Sequence, residues 1–191
     1  MGRAPVRQSY HHGNLRRELM DAALRLVTEG GPDAFTVSEA AREAGVSSGA
    51  PYRHFADRRA LLRAVSEEGH ELHAEALEAA LREAGDDPRQ AIAALGEAEA
   101  RFALRHPAYY RVMWAPEYRD PEDDAVTQEI EANQGRVEAS LGSREAAAML
   151  AAQCAIYGLA RMAADGQLGA DVDADRLASA ARAMLATIRA R

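Results

Sequence analysis

The chain has 191 residues, 48% of them apolar and 28% charged, a balance that suits one or two globular domains with a buried core and excludes a disordered chain. No run of about 18 apolar residues occurs, which excludes a membrane-spanning helix, and the single cysteine, Cys154, excludes an intrachain disulfide and a thiolate-built zinc site. The net charge of −7 is uneven: residues 1–65 carry ten Arg against seven acids, and residues 66–191 carry thirteen Arg against twenty-three acids, so the basic third is the part suited to phosphates.

The chain opens MGRAPVRQSYHHGN, without the apolar stretch of a secretory signal, so the protein is expected in the cytoplasm. Arg3, Arg7 and the run Tyr10-His11-His12-Gly13 form a basic, polar arm that either enters a minor groove or is a frayed terminus. Leu15, Leu19, Ala22, Ala23, Leu26 and Val27 then line one face of a first helix, which stops at Glu29-Gly30-Gly31-Pro32. Thr36-Val37-Ser38-Glu39 reads as a capping box opening a second helix to about Ala44. Gly45 stops it, and Ser47 is expected to cap a third helix running to about His54. Two short helices joined by a glycine-containing turn form a helix-turn-helix, with the first helix as third wall. Its core is expected from Phe35, Val37, Ala40, Ala41, Val46, Tyr52 and Phe55.

A helix beginning at Ser47 has Gly49 in its first turn and Pro51 just after it, which suits an end that approaches a surface closely. Arg53 is the long bidentate donor of this stretch and the first candidate for a guanine edge, with Ser47 and Ser48 able to reach bases or phosphates. Tyr52 and His54 carry donors suited to phosphate oxygens, and Thr36 can serve as both cap and phosphate contact. Asp57 caps the next helix, with Leu61, Leu62, Val65 and Leu72 on its apolar side. Arg58 and Arg59 oppose its dipole in the first turn and so have an electrostatic reason to be there.

Breaks at Gly85–Pro88, His106-Pro107, Asp120-Pro121, Gly142-Ser143 and Asp165 to Asp173 divide the rest into helices near 88–105, 107–115, 124–141, 143–165 and 174–190. The fold class is all-α, with about nine helices. Phe102, Tyr109, Tyr110, Met113, Trp114, Tyr118, Tyr157 and Met162 concentrate the aromatic and soft residues, either as ordinary core or as a ligand pocket lined by part of the set. Gln153 is an amide on an apolar stretch. The candidate ligand set is Phe102, Tyr110, Met113, Trp114, Gln153 and Tyr157. Cys154, between alanines, is expected to be a small buried residue. His70 and His73 share a helix face beside Glu67, Glu71 and Glu75, but no second Glu-x-x-His copy completes a metal set. No metal site and no cofactor are assigned; the alternative reading is an all-α metal-binding bundle or enzyme using these two histidines.

The stretch "FTVSEAAREAGVSSGAPYRHFADRRALLRAV" resembles the DNA-binding domain of the tetracycline-repressor (TetR) family of bacterial transcription regulators, from about Asn14 to Val65. The resemblance implies no enzymatic role. It implies an N-terminal arm (1–13), a helix-turn-helix domain (14–60) and a helical ligand-binding and dimerisation domain (61–191). Family phosphate contacts carry over to Thr36, Tyr52, His54 and Arg58, where arginine replaces the usual lysine, and base-reading positions to Ser47, Ser48, Ala50 and Arg53. Pro51 stands where most members have an aliphatic residue. The implied partners are a double-stranded DNA operator with two half-sites, an unknown small-molecule effector that releases it, and a second copy through the last two helices. The function read from the sequence is a dimeric, sequence-specific regulator, most simply a repressor. "YHHGNLRR" and "RHPAYYRVMWAPEY" also resemble a branch named for a Trp-His-Gly motif, although Gln153 and Tyr157 replace its tryptophan and histidine.

Overall fold

The computed structural model describes residues 15–85, 88–118, 143–169 and 172–186. Helix α1 (Leu15–Gly30) carries apolar residues at three- and four-residue intervals, so Leu19, Ala22, Ala23 and Val27 fall on one stripe and are buried. Gly31 ends it at φ 88°, donating its N–H to the Val27 carbonyl at 2.9 Å. Gly30 lets the chain fold back, since a Cβ there would lie 2.7 Å from the Ala34 Cβ.

Helix α2 (Val37–Glu43) opens with the expected capping box: the Thr36 hydroxyl accepts the Glu39 N–H at 3.2 Å, and the Glu39 carboxylate accepts the Thr36 N–H at 2.7 Å. It ends as a Schellman closure. Gly45, at φ 72°, donates to the Arg42 carbonyl at 3.0 Å, and Val46 donates to the Ala41 carbonyl at 2.9 Å.

The third element departs from expectation. Instead of an α-helix from Ser47 to about His54, residues 48–50 make a turn and Pro51–Arg53 a single 3-10 turn, with no side chain capping it. Bonds here mostly span three residues, Ala50 to the Ser47 carbonyl at 3.0 Å and His54 to the Pro51 carbonyl at 2.8 Å, and the Pro51 carbonyl also accepts the Phe55 N–H at 2.9 Å. Pro51 has no N–H to give the Ser47 carbonyl, and Gly49 is entropically costly to fix in a helix, so a regular first turn never closes. The tighter winding buries Pro51 and turns Tyr52, expected in the core, outward to 56% exposure. Phe35, Val37, Ala40, Ala41 and Phe55 are buried as expected, and Val46 packs against them in part.

Helix α3 (Arg58–Ala84) begins where the Asp57 carboxylate accepts the Ala60 N–H at 2.8 Å. Its Leu61, Leu62 and Val65 belong to one buried cluster that runs from the helix-turn-helix into Tyr109, Tyr110 and Met113 of α5 (Pro107–Met113). A Cβ on Gly69 would lie 3.1 Å from Tyr109 Cδ1, so the glycine lets α5 cross α3 closely. Helix α4 (Pro88–Arg105), a 3-10 turn at Pro116–Tyr118, α6 (Ser143–Ala164) and α7 (Ala174–Ala186) complete the described chain. Ala100, Ala152, Ile156, Leu177 and Ala181 form a second cluster between α4, α6 and α7.

The architecture is all-α, with seven α-helices and two 3-10 turns among the described residues. The helix expected at 124–141 lies outside them, as do positions 187–190 of the last one. No helix among the described residues is long and apolar enough to cross a membrane. Arg111 of α5 ties the two parts together, donating to the Val27 and Thr28 carbonyls at 3.1 and 3.3 Å and to Asp165 Oδ1 at 3.2 Å. The Thr28 carbonyl is in the last turn of α1, where a helix lacks internal donors, and the Val27 carbonyl takes the Arg111 bond in addition to the Gly31 N–H.

Candidate functional site

The capping box, the glycine closure and the 3-10 turn together set one surface of the helix-turn-helix. Ser47, Ser48, Tyr52, Arg53 and His54 are exposed there, and Ala50 is half-buried. Buried Pro51 and Phe55 fix the backbone beneath them, so the exposed side chains stand on a packed base. Thr36, at the front of α2, has its N–H and hydroxyl engaged by Glu39, at 2.7 and 2.9 Å. The Thr36 N–H, and then its hydroxyl, hold the Glu39 carboxyl below the usual carboxylate range.

Arg58 is placed differently from a free surface cation. Its guanidinium donates to the Asp33 carbonyl at 2.8 Å and to Asp33 Oδ1 at 2.9 Å, against the turn that precedes Thr36. The same Asp33 Oδ1 accepts the Tyr118 hydroxyl at 3.1 Å. Arg59, one residue on, is exposed, and its side chain has no hydrogen bond or ion pair among the described residues. It lines a cleft of about 360 Å³ with Arg16, His54, Phe55, Asp57 and Arg63, in which the Arg16 guanidinium lies 5.4 Å from the Phe55 ring centre. This cleft continues the basic surface from His54 toward α1.

In the C-terminal part, Phe102, Tyr110 and Met113 are buried, and Trp114 and Tyr157 close over them. Trp114 meets Tyr157 edge to face at 5.4 Å and Tyr110 at 6.2 Å. His70 and His73 approach the Trp114 ring at 5.6 and 6.0 Å, and His73 meets Phe102 at 5.0 Å. The group is organised by a carboxylate: Glu99 of α4 accepts the Tyr110 hydroxyl at 2.6 Å on Oε1 and lies 2.5 Å from His73 Nε2 on Oε2. Burial works to raise the Glu99 carboxyl, but His73 and Tyr110 outweigh it and hold the group below its ordinary range. Burial, then the Glu99 charge, push the Tyr110 phenol far up, so it remains a donor. The Trp114 indole N–H is buried without an acceptor among the described residues.

The structure thus brings together five of the six ligand-set residues; Gln153 is exposed one turn before Tyr157. Cys154, expected to be buried, is exposed on the single chain. His73 pairs with Glu99, and His70 Nε2 lies 3.0 Å from the Met113 carbonyl oxygen. Among the described residues no group of three His, Cys, Asp or Glu can hold a metal. Sequence reasoning did not single out Glu99 or Asp33. Glu99 had a signal: it precedes Phe102, Ala103 and His106 by three, four and seven positions, which places a carboxylate on an apolar stripe. Asp33 had none, because its partners Arg58 and Tyr118 are distant along the chain.

The chain matches the family described as bacterial regulatory proteins, tetR family, over residues 19–65, and that described as tetracyclin repressor-like, C-terminal domain, over residues 92–187. No curated protein matches it. Among solved structures it is similar to a protein of unknown function from Rhodococcus sp. RHA1, at 31% identity and a TM-score of 0.68, covering 95% of this chain and 98% of that one. It also resembles in fold the TetR family transcriptional regulator PfmR from Thermus thermophilus, at 23% identity, a TM-score of 0.66 and coverage of 91% and 94%. The fatty acid degradation regulator FadR from Bacillus halodurans matches at 15% identity and a TM-score of 0.67, over 93% and 96% of the two chains.

Proposed function

From the premise that this chain belongs to the TetR family of DNA-binding transcription regulators, which are not enzymes, we propose that it is a dimeric repressor whose palindromic operator is released by a small molecule. The observation that carries the reading is the exposed row Ser47, Ser48, Tyr52, Arg53 and His54 on a packed base, with unpaired Arg59 beside it, in the basic third of an acidic chain. Residues 14–60 are the reading head and 61–191 the effector and dimerisation domain. Arg53, with Ser47, Ser48 and Ala50, faces base edges, while Thr36, Tyr52, His54 and Arg58 meet phosphates.

The effector site is the aromatic group around Trp114, lined by Phe102, Tyr110, Met113 and Tyr157, with Gln153 at its outer edge. Its unfilled indole donor suits a ligand that brings a hydrogen-bond acceptor. Ligand binding favours a head spacing that no longer fits two half-sites, and DNA affinity falls by the difference in ligand affinity between the states. The stretches YHHGNLRR (Tyr10 to Arg17) and RHPAYYRVMWAPEY (Arg105 to Tyr118) support a place in the Trp-His-Gly branch. The absence of membrane-spanning helices among the described residues fits a cytoplasmic site of action.

The dimer surface is the outer face of α6. Ala147, Leu150, Ala151, Cys154 and Met162 are exposed along it, no charged residue stands between Ala147 and Arg161, and Gly158 adds room for close approach. In a dimer formed there, Cys154 is covered. Its thiol is expected to react slowly with Ellman's reagent in the native protein and rapidly after guanidinium dissociates and unfolds it. The protein is also expected to sediment at twice the chain mass. Equal native and unfolded thiol rates, or a monomer at micromolar concentration, would contradict this interface.

A further inference from the structure

We propose that Asp33 and Tyr118 are positioning residues through which the C-terminal helical domain sets the aim of Arg58 toward a DNA phosphate. The proposal rests on the reading of Arg58 as a phosphate contact. Two hydrogen bonds in series make the connection: Tyr118 hydroxyl to Asp33 Oδ1 at 3.1 Å, and Arg58 to the same oxygen at 2.9 Å, with a second Arg58 bond to the Asp33 carbonyl at 2.8 Å. Tyr118 closes the 3-10 turn that directly follows α5 and Trp114, so the chain of contacts begins beside the aromatic group.

The geometry suits positioning more than neutralisation. A guanidinium has five N–H donors in a rigid plane, so fixing one edge on Asp33 fixes the direction of the remaining donors. A lysine ammonium at this place has no such plane to orient. Arg58 lies against residues 33–35, next to Thr36, which places both phosphate-contact candidates on one turn. Tyr118 is only 3% exposed, and burial, then the bond to Asp33, push its phenol up to about 12, so it stays a donor at neutral pH. The Asp33 side chain is 74% exposed and owes its orientation to its two partners. A displacement of about an ångström in the Pro116–Tyr118 turn carries the Tyr118 bond beyond hydrogen-bond range and leaves the exposed Asp33 carboxylate, with Arg58 on it, without its anchor to the C-terminal domain.

A double-mutant cycle tests this, using fluorescence anisotropy with a labelled duplex that the protein itself enriches from a random library. Tyr118→Phe, which removes only the hydroxyl, is expected to weaken binding by about 3- to 10-fold, the size of one lost hydrogen bond. In the Arg58→Ala background the same change is expected to have almost no effect. Asp33→Ala, at an exposed side chain, is expected to repeat the pattern and keeps the test available should Tyr118→Phe fold poorly. Equal losses in both backgrounds, or none in either, overturn the proposal. If Arg58→Ala alone leaves affinity and salt dependence unchanged, Arg58 is not a phosphate contact, and the underlying reading fails with it.

Discussion

Replacing Glu99 by alanine is expected to destabilise the protein by about 2–5 kcal/mol, since two largely buried polar groups each lose a partner at about 1–3 kcal/mol. The change strips two groups at once, since Oε1 and Oε2 separately satisfy the Tyr110 hydroxyl and the His73 ring. Both are held among Phe102, Trp114 and Met113. For a chain of this size such a loss lowers the melting temperature by about 10 °C. The triple change Glu99→Leu, His73→Phe and Tyr110→Phe removes the polar groups together and is expected to recover much of that loss. Because the Glu99 carboxyl is held below its unfolded-state value, its contribution is complete above that value and is lost as pH falls through the folded one. Melting curves from neutral to mildly acidic pH check this. A Glu99→Ala variant that melts with the parent would remove Glu99 as the organiser of the aromatic group around Trp114.

DNA affinity is expected to fall about a thousandfold between 50 and 200 mM salt. Two heads that each neutralise about three phosphates release about six counterions, for a slope near −5 in log affinity against log salt. The cations at hand in each head are Arg58, Arg59 and the Arg16 side of the cleft, set on a surface whose charge is opposite to that of the rest of the chain. Arg59→Ala is expected to weaken binding equally for all sequences and to lower the slope by about 1 for each phosphate that is no longer neutralised. Titrations of one duplex across that salt range read both quantities. A slope near zero would place the basic surface away from the DNA.

What could be read in advance was local. The α1 stripe of Leu19, Ala23 and Val27, the Thr36 and Glu39 capping box, the Gly45 stop and the Asp57 cap all formed as their sequence neighbours require. These features depend on residues three or four apart. The segment after Ser47 is where neighbours three or four apart do not suffice: Gly49 and Pro51 were compatible with a helix start, but without a Pro51 N–H the first bonds span three residues, and Tyr52 lies outside the core. The aromatic group was legible as a set, because Tyr110, Met113 and Trp114 lie on one short helix and its end. Its polar centre was not, since Glu99 meets His73 only once α3 and α4 pack. The Arg111 and Tyr118 contacts to α1 and Asp33 join residues more than 80 positions apart, and no periodicity encodes them.

Selection of random duplexes by the purified protein, followed by sequencing, shows whether the surface around Arg53 reads DNA sequence. The expected result is an enriched inverted repeat with half-site centres about one DNA turn apart, and relaxation at one base position with Arg53→Ala, at a cost of about 1–3 kcal/mol. Recovery of no preferred sequence, or of a preference that Arg53→Ala leaves untouched at every position, would contradict the assigned reading surface.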